Sequence, residues 1–180
     1  MHFRAVATAA LIVVVSTGMS GCGDDGSGDI APKHWAQQVC TALTPWRTEI
    51  ADLTTKAQQQ LQSATTAAQT KTNIVDLLAG AETASEKARA GINGAGVPDV
   101  SGGDKVAQQF TGSLAKARDA YGNAKRSVQG LQTADAKAFY TSVGSTFAVL
   151  KEEYEQSAID PQHVRQKDLQ KAFNEVPECR

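Results

Sequence analysis

Apolar residues recur at helical spacing over most of this chain. Trp35, Val39, Leu43, Trp46, Ile50, Leu53, Ala57 and Leu61 are three or four positions apart, which is one continuous face of a long helix. Pro32 suits its first turn, while Thr44 followed by Pro45 predicts a kink or a restart. A second face, Ile74, Leu77, Leu78, Ala81, Ala88 and Ile92, follows a polar turn within Gln62–Thr72. Residues Gly91 to Pro98 stop that helix, and Asn93–Gly103 is a loop by its glycine content. The third face comprises Val106, Phe110, Leu114, Ala117, Tyr121, Ala124, Val128 and Leu131, with Ser101 or Asp104 as its cap. After a short turn around Gln132–Asp135, Phe139, Val143, Phe147, Leu150 and Tyr154 mark a fourth. Asp160-Pro161 predicts the start of a short last helix carrying Val164, Leu169, Phe173 and Val176.

Alternating apolar and polar runs of the kind that make strands do not occur. The chain is therefore expected to be all-α. Four helices of about 25–30 residues with short connections favour an antiparallel up-down bundle, with the short C-terminal helix added. Gly112, Gly122, Gly130 and Gly144 interrupt helices three and four. They fit close helix approach, or a helix pair loose enough to open over a ligand.

Composition narrows the function classes. With 18 Lys+Arg against 19 Asp+Glu in 180 residues, the chain lacks the basic excess of a nucleic-acid binder. Three cysteines are too few for a disulfide-dense scaffold or a four-thiolate zinc site.

The first 21 residues read as an export signal rather than as part of a fold. Arg4 precedes an apolar run, Ala5 to Val15 broken only by Thr8, that is too short to span a bilayer. Met19-Ser20-Gly21-Cys22 resembles the bacterial lipobox. That resemblance implies a diacylglyceryl group on the Cys22 thiol and cleavage just before it. The polar, glycine-rich stretch that follows cannot bury anything and suits a flexible tether. The expected organisation is a signal peptide over 1–21, a lipidated tether over 22–31 and a helical domain over 32–180. Loss of Arg4 with the signal takes the basic count from 18 to 17 against 19 acidic residues, so anchoring falls to the lipid itself.

With Cys22 assigned to lipid, Cys40 and Cys179 remain as a pair in an oxidising location. Their bridge would bring the C-terminus to the start of helix one, with Phe173 and Val176 covering Trp35 or Val39. Free thiols, or an intermolecular bond through Cys179, are the alternatives.

Catalytic chemistry is not visible in the sequence. His34 and His163 have no second ligand at metal spacing, and His2 leaves with the signal. The Gly91–Gly96 and Ser101–Lys105 segments have the wrong order for dinucleotide or phosphate loops. No catalytic residue, metal site or cofactor is assigned. Trp35 and Trp46 lie on the same stripe, eleven residues apart. They fit core filling, or an aromatic anchor for a partner if exposed.

The lipobox, the Gly/Asp tether, the helix bearing Trp35, Cys40 and Trp46, the Gly96-Val97-Pro98 loop and the late cysteine after Ala172-Phe173 resemble small secreted lipoproteins of high-GC Gram-positive bacteria. The resemblance covers the whole chain. It implies a lipid-anchored domain on the outer face of the cytoplasmic membrane and supplies no activity. The expected role is non-catalytic binding of an envelope protein or polymer. The alternative is carriage or sensing of an apolar small molecule within the helices.

Overall fold

The computed structural model describes residues 29–157 and 164–179. Cys22, the signal segment and the Asp160-Pro161 pair lie outside the described residues. The described residues form five helices: α1 (Pro32–Ser63), α2 (Ala67–Gly94), α3 (Gly103–Gly130), α4 (Ala136–Glu155) and α5 (Lys167–Glu175). A 3-10 turn, Pro177–Cys179, follows α5. Two short strands, β1 (Asp29–Ile30) and β2 (Val97–Pro98), pair in parallel. The domain is thus mostly helical, with this one two-residue ladder added. No helix among the described residues is long and apolar enough to cross a membrane.

The ladder shortens the expected tether. Asp29 pairs with Val97 and Ile30 with Pro98, and the Asp99 amide donates to the Ile30 carbonyl at 2.8 Å. Ile30 also packs against the core. The domain therefore takes hold of the chain at residue 29 rather than after 31.

Local sequence explains most helix ends. The α1–α2 turn is only Ala64–Thr66. Thr66 caps α2 by accepting from the Gln69 amide, while the Gln69 side chain accepts from the Thr65 amide. Asp135 caps α4 through the Ala138 amide. Neither Ser101 nor Asp104 caps α3; Gly102 does so at φ 75°, without a side-chain bond. The last helix begins at Lys167, capped by Gln166 through the Leu169 amide, so Val164 lies outside it. Pro45 does not break α1, which is assigned without interruption over 32 residues. Thr44 does not cap a restarted helix. Its hydroxyl donates to the Glu178 carbonyl instead, and Leu43 beside it is fully buried.

Packing runs between chain neighbours: α1 on α2, α2 on α3, and α3 on α4. Leu53 meets Gly80 and Ala42 meets Gly91, while Tyr121 of α3 meets Tyr154 of α4. Among the described residues, the buried ones form two clusters. One, distal, joins Ile74, Leu78, Ala124, Val128 and Leu150. The other, basal, joins Trp35, Val39, Leu43, Ile92, Phe110 and Phe173.

Helix lengths explain this division. At 20 residues α4 is about 30 Å long, against about 42 Å for the 28-residue α3. Tyr154, near the end of α4, lies against Tyr121, so the first half of α3 extends past it. The basal core there is covered by α5. Phe173 stacks on Phe110 at 5.9 Å and meets the Trp35 ring edge-on at 5.9 Å. Cys40 and Cys179 are disulfide-bonded, with Cα atoms 5.0 Å apart and a sequence separation of 139. Closing so long a loop stabilises the folded state by up to about 5 kcal/mol through the unfolded chain. Thr44 and Gln37 of α1 add hydrogen bonds to Glu178.

The interrupting glycines have unequal roles. A Cβ at Gly112, Gly130 or Gly144 would meet nothing within 4 Å, so these positions do not mediate close approach. Gly122 does, since its Cβ would lie 2.7 Å from a Glu82 carboxylate oxygen. At Gly103 the added atom would fall 2.0 Å from the Pro98 carbonyl oxygen, a backbone atom that cannot give way. Gly112→Ala and Gly144→Ala are expected to raise stability by about 0.5–1 kcal/mol each. Gly103→Ala is expected to lower it by about 2 kcal/mol or more. Urea unfolding midpoints of the three variants check both signs.

Candidate functional site

Trp35 and Trp46 lie on one stripe of α1 but in different surroundings. Trp35 is fully buried. Its indole N–H donates to the Gly96 carbonyl at 3.0 Å, and its ring packs edge-on against Phe110 at 5.5 Å. It cannot be an exposed anchor, because α5 and the Gly96 loop enclose it. Trp46, one turn beyond Leu43, is half-buried. Its indole N–H donates to the Ser85 hydroxyl at 3.1 Å, and Ser85, also fully buried, donates to the Ala81 carbonyl. The ring is therefore held in one orientation between α1 and α2.

Beside Trp46 the two helices enclose an open groove of about 670 Å³. Small residues of α2 create it: Gly80, Ala84, Ala88 and Gly91 repeat at intervals of four, four and three. The helices close tightly at its two ends. A Cβ at Gly80 would lie 2.7 Å from Leu53, and one at Gly91 would lie 2.9 Å from the Ala42 methyl. Ala42 and Pro45 complete an apolar floor, with Glu49 on the α1 wall and Lys87 on the α2 wall. Its volume falls within the range that small-molecule sites occupy. Toward the base, a shallower cleft bordered by His34, Gln38 and Gly94 shares Thr41, Ala42 and Gly91 with it.

Helices three and four, the pair suspected of opening over a ligand, do not provide the larger space. Their cleft measures about 210 Å³ and is bordered by Asn123, Ser127, Ser145, Thr146 and Glu153. Between the same two helices the Tyr121 and Tyr154 rings lie 5.8 Å apart, and burial pushes both phenols above their ordinary range. The roominess arises one helix pair earlier, where side chains are smallest. Sequence reasoning named Trp46 but missed Glu49 and Lys87. The signal was present in the small-residue repeat of α2 and in Glu49 lying one turn after Trp46.

The opposite side of α2 is tied to α3 by charges. Glu82 pairs with Lys125, and Glu86 receives both Arg89 at 2.6 Å and Arg118 at 2.8 Å. Arg118 also reaches Asp119 at 2.8 Å. No group of three or more potential metal ligands occurs among the described residues. His34 has the Gln38 amide nitrogen 2.7 Å from its ring. Comparison with protein-family models, curated proteins and solved structures gave no match.

The α2–α3 seam has a pH signature. Hydrogen bonds from Arg89 and then Arg118 hold the Glu86 carboxyl well below its ordinary 4.5, at about 2. Its folded pKa is thus depressed, so its stabilisation is fully present above about pH 4.5 and is lost as the pH falls toward 2. The side chain is 42 % exposed, so solvent and salt moderate the effect. Glu86→Gln should lower stability modestly above pH 6 and flatten the profile below about pH 4.5, so that the two proteins draw together as the pH falls toward 2. Denaturant midpoints measured across the range test this.

Proposed function

We propose that this chain is exported, cleaved before Cys22, lipidated there and held on the outer face of the cytoplasmic membrane as a non-catalytic binding module for an envelope protein or polymer. In this reading α1–α4 form an up-down bundle. The reversed order of contacts along α1–α2, in which Leu53 meets Gly80 and Ala42 meets Gly91, supports that arrangement. The observation that carries the location is the Cys40–Cys179 bond, because such a bond persists in an oxidising compartment. It sits at the base of the domain, where the chain arriving from Cys22 joins at residue 29. The Met19-Ser20-Gly21-Cys22 signal supports the lipid.

A second reading, carriage of an apolar small molecule, is favoured by the α1/α2 groove with its fixed Trp46 wall. In both readings the domain binds rather than transforms.

Labelling with a fatty acid in a bacterial host that carries out lipoprotein processing tests the anchor. The full chain should incorporate label, and its mature N-terminal peptide should begin at acylated Cys22. Cys22→Ala should lose the label and leave the membrane fraction after cleavage, or retain its leader. Unlabelled wild-type protein with Met1–Gly21 intact would contradict the proposal.

A further inference from the structure

We propose that the α1/α2 groove is a site for a zwitterionic amphiphile, a small molecule with an apolar body, one ammonium group and one anionic group. This rests on the small-molecule reading and names its ligand class. Three features carry it. The floor is apolar and built from residues too small to fill it, chiefly Ala42, Pro45, Ala84 and Ala88. Trp46 is locked by Ser85, so one aromatic wall is pre-oriented. Glu49 follows Trp46 by three positions and so shares its helix face, while Lys87 stands on the opposite wall.

Both charges are available. Neither Glu49 nor Lys87 has an ion-pair or hydrogen-bond partner among the described residues, although they border the same groove. On the far side of the same helix, by contrast, Glu82, Glu86 and Arg89 are all paired. A ligand ammonium beside Trp46 and Glu49 gains ring attraction and a carboxylate together. An anionic group on the same ligand meets Lys87. A purely anionic amphiphile would face Glu49 unfavourably, and a purely cationic one would face Lys87 unfavourably. An uncharged one would use the floor alone.

Isothermal titration of the full folded domain with octyl phosphocholine, kept below its micellar concentration, tests the assignment. Octyl sulfate, octyl trimethylammonium and octyl glucoside serve as matched probes. The zwitterion is expected to bind most tightly, with Glu49→Gln and Lys87→Gln each weakening it about three- to tenfold. Thr83→Trp, at an exposed position on the rim, should block the groove and abolish binding while leaving helicity unchanged. If octyl glucoside binds equally well and the two charge variants change nothing, the ligand class is overturned while the small-molecule reading stands. If none of the four probes binds wild-type protein, both are overturned.

Discussion

The burial of Trp35 against Phe110 and Phe173 organises the base of this domain. Its ring joins α1 to α3 and α5, and its indole N–H fixes the Gly96 carbonyl in the loop after α2. That same loop carries β2, where the incoming chain at Asp29–Ile30 pairs. Three segments distant from α1 in sequence therefore converge on one of its side chains. Such a centre needs a lid, because α4 is too short to cover it. The lid is α5, a nine-residue helix that could not hold its place by helix propensity alone. The Cys40–Cys179 bond and the Thr44 and Gln37 hydrogen bonds to Glu178 keep it seated.

Closing the base in this way leaves α2 to serve three neighbours. One face lies in the core through Ile74, Leu78, Ala88 and Ile92. A second is bound to α3 by the Glu82 and Glu86 ion pairs. The third is stripped to glycine and alanine, so α1 approaches closely at Gly80 and Gly91 and the space beside Trp46 stays open. The floor of the groove is therefore backbone, small side chains and a hydrogen-bonded indole, while its charges sit on the long side chains of Glu49 and Lys87. An apolar floor with a few polar and charged groups at its walls is the make-up common to small-molecule sites.

Much of the helical content and the disulfide could be read from the sequence, because three-four spacing and a leftover cysteine pair are local, countable signals. Phe173 over Trp35 followed from that pairing. Three features were less legible, each for a physical reason. The Thr66–Gln69 cap fixes the first turn without glycine or proline, so the boundary was hard to see. Gly102 caps α3 through backbone conformation rather than a side chain, which made Ser101 and Asp104 misleading. Ile30 belongs to the domain because of a distant partner, Pro98, which no local pattern announces. The glycines of helices three and four fit either close approach or a pair that opens over a ligand. Those at 112, 130 and 144 face open space, and the contacts that matter are made by Gly80 and Gly91.

The most direct test of α5 as a covalently held lid on the Trp35 centre is amide hydrogen exchange on the oxidised and reduced protein. Reduction should accelerate exchange across 167–179 and in the first turns of α1, while α3 beyond Tyr121 and α4 keep their protection. Unchanged protection of 167–179 after reduction, or an equal loss over the whole domain, would contradict the account.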